Sequence, residues 1–114
     1  MSRDFLILLA PGFTDPQKPG RRYFCPDCNQ IEGVLASNPG LAGRITVKRV
    51  SFLRPRAEVV ALLGPDNQGL PVLILGDAAP LPADAQAYGT YRFVTDTRRI
   101  LELIAERHGV PFPH

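Results

Sequence analysis

The sequence predicts an α/β fold in which one mixed four-stranded sheet is flanked by helices, in the order β-α-β-α-β-β-α, over a single domain of residues 1–114. Three observations predict it. Over the first two thirds of the chain, apolar strand-like runs alternate with segments of helical period, the pattern of parallel strands joined by right-handed crossovers. Val72-Leu73-Ile74-Leu75 is an uninterrupted apolar run, as a strand covered on both faces requires. A further strand-like run, Thr90–Val94, comes soon enough after it to pair as a hairpin, which makes the sheet mixed.

Asp4–Ala10 (DFLILLA) reads as the first buried strand, bounded by Pro11-Gly12. FTDPQKPGRR, with two prolines, a glycine and several charges, reads as an exposed loop that delivers the chain to Cys25. From Pro26 the period is helical: Cys28, Ile31, Val34 and Leu35 fall on one face, and Asn38-Pro39-Gly40 stops the helix. Ile45–Phe52 (ITVKRVSF) is the second strand, but its alternation slips between Val47 and Val50, so a bulge or an early end is expected. Pro55 suits the first turn of the next helix, whose apolar face is Val59, Val60, Leu62 and Leu63 before Gly64-Pro65. Residues 78–89 (AAPLPADAQAYG) read as irregular, and Thr90–Val94 as an edge strand with Tyr91 and Phe93 on one side. Thr95 or Asp96 caps a last helix that buries Ile100, Leu101, Leu103 and Ile104 and ends at Gly109.

Composition narrows the function classes. A hydrophobic fraction of 45% supports one packed core, and a net charge of +2, from 13 basic and 11 acidic residues spread along the chain, is no nucleic-acid arm or membrane-binding basic helix. The apolar run Phe5–Ala10 is too short for a membrane span or a signal h-region, and Asp4 stands where a positive n-region belongs, so a cytoplasmic location is expected. Two cysteines separated by two residues staple little chain. In a reducing compartment such a pair points to catalysis, redox sensing or metal binding.

The chemistry centres on Cys25-Pro26-Asp27-Cys28. A cysteine just ahead of a first helical turn faces unsatisfied N–H groups and the positive end of the helix dipole, which favour thiolate over thiol. Arg21 and Arg22 are close enough in sequence to add to that effect, Asp27 opposes it, and Pro26 fits the first helical position, where its missing N–H costs nothing. Cys28 shares its face with Ile31 and Leu35 and is therefore the more buried sulfur. Cys25 is then the nucleophile toward a disulfide and Cys28 the resolving thiol. Leu70-Pro71 precedes a buried strand, where an X-Pro bond is either cis, presenting backbone groups beside the cysteines, or an ordinary strand-start proline.

These motifs in this order, Cys25-Pro26-Asp27-Cys28, Leu70-Pro71-Val72 and Thr95-Asp96, resemble the thioredoxin and glutaredoxin superfamily over nearly the whole chain. More narrowly, YFCPDCNQIEGVLA, RPRAEVVALLG, NQGLPVLIL and ILELIAERHGVP resemble a bacterial family of thioredoxin-like proteins classed as a domain of unknown function. The resemblance implies a cis bond at Pro71, pairing of the Leu70 and Val72 backbone with a bound thiol substrate, and γ-glutamyl recognition of glutathione by Thr95 and Asp96. It thus implies a thiol:disulfide oxidoreductase that requires no bound cofactor, with glutathione or a protein disulfide as its partner. Phe24 stands where thioredoxins carry tryptophan, and the double glycine that precedes the glutaredoxin Thr/Asp motif is absent. Those departures favour the second expectation, a non-enzymatic module binding glutathione, a metal or a protein, with the cysteines as redox sensor.

Other residues carry weaker signals. Arg98 and Arg99 oppose the dipole in the first turn of the last helix, which either an anionic ligand or pairing with Asp96 would relieve. His108 and His114 have the wrong spacing to complete a zinc site with the cysteines, so no metal site is expected. Tyr23, Phe24, Tyr88 and Tyr91 read as packing or as the lining of a groove, and Glu102 and Glu106 as a solvated face.

Overall fold

Leu6, Leu8 and Ile7 are all fully buried, the first two in one hydrophobic cluster and the third in another, so the first strand is covered on both faces. The computed structural model, which describes residues 2–114, has β1 at Phe5–Leu9, α1 at Pro26–Ser37, a 3₁₀ turn at Pro39–Gly43, β2 at Thr46–Val50 and α2 at Ala57–Leu63. It continues with β3 at Val72–Ile74, β4 at Gln86–Tyr88, β5 at Tyr91–Val94 and α3 at Thr97–His108. The sheet order is β2-β1-β3-β5-β4; β1 and β2 are parallel, and every other neighbouring pair is antiparallel. One face packs on α1 and α3 through Cys28, Ile31, Ile100 and Ile104, and the other on α2 through Val59 and Leu63.

The expected element order is present with one addition, so the strand count of four is corrected to five. The added β4 lies inside the stretch expected to be irregular, and it makes β5 an interior strand where an edge was expected. All three β4 residues are exposed. Backbone pairing with β5, together with the Tyr88 ring lying against Gly64, takes the place of apolar alternation. β2 ends early, at Val50, as its broken alternation implies. Pro55 is not in the first turn of α2: the N-cap is Arg56, whose N–H is bonded by Gln68 Oε1 at 2.7 Å and whose backbone stays extended (φ −93°, ψ 90°). Asp96 caps α3 by accepting from the Arg99 N–H at 2.9 Å, and Gly109 ends it in the left-handed region at φ 72°.

Register sets which residues meet at each end of the sheet. β3 runs against β1, with Ile7 opposite Val72 and Phe5 opposite Ile74, so Leu70-Pro71 lies at the end where β1 finishes. β5 runs against β3, with Leu73 opposite Val94, which brings Thr95-Asp96 to that same end. The C-terminal end of β2 is there too, because β2 is parallel to β1. In open α/β sheets, crevices at the carboxyl ends of parallel strands are the usual place for chemistry. No described helix is long and apolar enough to cross a membrane.

Candidate functional site at the cysteine end of the sheet

Cys25 is the N-cap of α1 (φ −81°, ψ 116°), and Pro26 follows at the start of the helix. The Cys25 Sγ accepts from the Cys28 N–H at 3.2 Å, so the sulfur occupies the place a capping serine oxygen takes, against the open end of the helix. Cys28 sits one turn on and is 2% exposed; its Sγ accepts from the Leu9 N–H of β1 at 3.4 Å. Both are free thiols, Cys25 half-buried and Cys28 buried. Burial is the main force pushing the Cys28 thiol up to about 12; the Cys25 sulfur and Asp27 push the same way, against the Leu9 N–H. Cys28 therefore holds its proton well above the ordinary thiol range.

The loop before the cysteines is more ordered than its composition implies. Phe13 and Tyr23 form an antiparallel bridge, the Tyr23 hydroxyl donates to the Lys18 carbonyl at 3.1 Å, and Arg22 Nε donates to the Gly12 carbonyl at 3.0 Å. The Phe13 ring stacks on Phe52 with centroids 4.4 Å apart and planes 4° from parallel. This stack joins the loop after β1 to the segment after β2. A hollow of about 380 Å³ opens there, lined by Ala10, Gly12, Phe13, Ser51, Phe52 and Leu53. Phe24, next to Cys25, and Leu53 project into solvent at 56% and 61% exposure.

The cation near the sulfurs is one the sequence did not single out. Arg21 and Arg22 are both exposed, and Arg22 has a hydrogen bond to the Gly12 carbonyl. Arg56, 7% exposed, is held by Phe52 and Gln68 in a position where the charges of both cysteines favour its own. Nothing in the string RPRAEVV distinguishes Arg56 from Arg54, and only the fold buries it.

The remaining expected site residues converge to different degrees. The Leu70-Pro71 bond is cis; Pro71 and Val72 are buried, and Leu70 packs half-buried against both core clusters, one of which also takes Cys25. Thr95 and Asp96 are exposed and line a separate hollow of about 390 Å³ with Gln86, Arg98, Arg99 and Glu102, to which neither cysteine contributes. Thr95 Oγ1 accepts from Gln86 at 3.4 Å, and Asp96 is engaged in capping. The arginines there already have acidic partners, though not Asp96: Arg99 pairs with Asp84 at 2.9 Å and Glu102 at 3.4 Å, and Arg98 with Glu102 at 3.6 Å. The Arg99 side chain holds the Asp84 carboxyl below its usual range. Tyr88 rests on Gly64 instead of lining the cysteine groove. His108 bonds Asp4 at 2.7 Å, before the start of β1 and so at the opposite end of the sheet, and no trio of metal-binding side chains occurs among the described residues.

The fold and this site together define a small α/β protein with a cysteine pair at the first helix N-terminus, beside the carboxyl ends of β1 and β2. Residues 3–112 match the family described as Protein of unknown function (DUF3088), and the chain belongs to that family. No curated protein matches the chain. No solved structure matches it.

Proposed function

We propose that the chain is a thiol:disulfide oxidoreductase of the thioredoxin and glutaredoxin type, acting in the reducing cytoplasm. The observation that carries this reading is the asymmetry of the two sulfurs: Cys25 caps α1 within reach of solvent, while Cys28 is buried beneath β1 and keeps its proton. The element order, retained around the added β4, and the convergence of Cys25, Leu70-Pro71 and Thr95-Asp96 on one sheet end support it.

In the proposed reaction the Cys25 thiolate attacks one sulfur of a substrate disulfide, a mixed disulfide forms, and the other substrate sulfur leaves as a thiol after taking a proton. Cys28 then loses its proton and attacks Cys25 Sγ, releasing the second substrate thiol and leaving a Cys25–Cys28 disulfide. Two electrons pass to the substrate, and two molecules of glutathione, oxidised to one glutathione disulfide, or one molecule of a dithiol return them. The backbone of Leu70 and Val72 would hold the substrate chain, and Thr95 and Asp96 the γ-glutamyl group when the substrate carries glutathione.

The test is turnover of a glutathione mixed disulfide. Wild-type chain and Cys28→Ser are expected to turn it over, and Cys25→Ser to lose activity entirely. A wild type inert with every dithiol and glutathione system would end this reading.

A further inference from the structure

The end of the sheet far from the cysteines holds more positive charge than its one buried acid neutralises. A hollow of about 220 Å³ opens there, lined by Arg3, Asp4, Arg44, Ala78, Arg107 and His108. The Asp4 carboxylate is fully engaged. Its Oδ1 accepts from Arg107 Nη2 and the Gly76 N–H, and its Oδ2 accepts from Arg107 Nε and meets His108 Nε2. Arg107 therefore cancels Asp4, and Arg3 and Arg44 each keep a charge.

Neither of these two arginines has an acid within ion-pair distance among the described residues. Asp77, next to Ala78 in the turn after β3, is exposed and joins no ion pair either. Each guanidinium is anchored by one hydrogen bond to a carbonyl: Arg3 Nε donates to that of Arg44 at 3.2 Å, and Arg44 Nη1 to that of His108. Among the described residues, both Nη groups of Arg3 and the Nε and Nη2 of Arg44 are left without an acceptor.

Backbone contacts fix where both side chains begin. The Ala78 N–H donates to the Ser2 carbonyl at 3.1 Å, and a Cβ at Gly76 would lie 2.5 Å from the Ser2 oxygen and from the Arg3 carbonyl carbon. Glycine at 76 thus lets the segment before β1 close onto the end of β3. The Arg44 and Ile45 N–H groups both donate to the Leu41 carbonyl, at 2.9 and 3.1 Å. Two like charges held over one hollow repel each other, and an anion between them reverses the sign of that interaction.

We propose that this hollow is a binding site for a phosphate-class oxyanion, held between Arg3 and Arg44 above the Asp4–Arg107 pair. The site is independent of the redox reading, since the cysteines lie at the other end of the sheet. A tetrahedral dianion offers oxygens to two guanidinium forks at once and matches both open charges, whereas the two oxygens of a monocarboxylate satisfy one fork. Inorganic phosphate and a terminal phosphoryl group present the same oxygens. Either one joins the segment before β1, the segment before β2 and the end of α3.

The test titrates the full chain at pH 7.5 with inorganic phosphate, and separately with glycerol phosphate, at an ionic strength held constant with sodium chloride. Amide NMR is expected to show saturable shifts at Arg3, Arg44 and Ala79, half-complete at about 1 mM or below. Saturation by either probe supports the site, and the tighter of the two identifies free phosphate or a phosphomonoester as the better ligand. Arg44→Gln and Arg3→Gln are each expected to weaken binding about tenfold or more. Arg92→Gln, which removes an arginine of β5 that also lacks an acidic partner, is expected to stay within about twofold of wild type. Should Arg44→Gln fail to fold, Arg3→Gln carries the same comparison. The proposal is overturned if neither probe saturates by about 20 mM, or if a folded Arg44→Gln or Arg3→Gln binds within about twofold of wild type. Acetate binding as tightly as phosphate would overturn it too.

Discussion

Cys25 and Cys28 are the same residue type three positions apart, and their surroundings separate them. The first helical turn turns one sulfur toward the open N-terminus and the other onto the sheet, under Leu9. Burial then holds the Cys28 proton up to a pH of about 12. With iodoacetamide at pH 8, the native reduced chain is expected to take one label, on Cys25, and to take the second only in denaturant. Tandem mass spectrometry reads the position, and equal labelling of both sulfurs in the native chain would contradict the geometry. The labelling pattern depends on accessibility and protonation together, which is why it tests the division of labour more directly than a thiol count does.

At the scale of elements, the piece that holds β4 in place is a glycine. Gly64 closes α2 at φ 81°, and a Cβ built there would meet Tyr88 ring atoms at 2.7 to 2.8 Å. Gly109 closes α3 at φ 72° with nothing within 4 Å of the same position. Gly109, at ψ 22°, avoids the left-handed penalty of about 1–2 kcal/mol, whereas Gly64, at ψ 169°, lies in a region essentially confined to glycine and also seats a neighbouring element. Gly64→Ala is therefore expected to cost more than Gly109→Ala, by about 1 kcal/mol or more, in urea unfolding. Equal costs would mean that Tyr88 moves aside freely and that its ring does not hold β4.

Across the whole molecule, the end of the sheet opposite the cysteines is fixed by Asp4. Its carboxylate, 2% exposed, takes two hydrogen bonds from Arg107 at 2.8 Å, one from the Gly76 N–H at 2.7 Å, and a contact with His108 Nε2 at 2.7 Å. Arg107 also donates to the Gly76 and Pro80 carbonyls, so the start of β1, the turn after β3 and the end of α3 share one charge cluster. Burial alone would raise the Asp4 carboxyl, but hydrogen bonds from Arg107, Gly76 and His108 outweigh it and hold the carboxyl below its ordinary value. The resulting stability is present above the unfolded carboxyl value of about 4 and is lost as the pH falls through the lower folded value. Asp4→Asn leaves Arg107 buried without its partner, and the expected cost at pH 7 is about 3 kcal/mol. Urea unfolding from pH 7 down to pH 2 should give a flatter stability profile for this variant than for wild type. An unchanged profile would show that Asp4 does not carry the acid sensitivity.

The sequence by itself determined the α/β class, the three helices with their buried faces, and the cysteine pair at a helix start. Apolar period, Pro26, Asp96 and Gly109 are local signals that physics reads within one or two turns. The failing alternation inside β2 left a bulge or an early end as the two alternatives, and the structure has the early end. Only the tertiary structure decided β4, whose exposed Gln86-Ala87-Tyr88 carries no period and exists through pairing with β5 and contact with Gly64. Only it decided that Leu70-Pro71 and Thr95-Asp96 share a sheet end with the cysteines, because register joins segments that the sequence keeps apart. And only it put Arg56, with no acidic partner, near the sulfurs. The energy of a buried charge depends on everything packed around it, and a linear string does not hold that information.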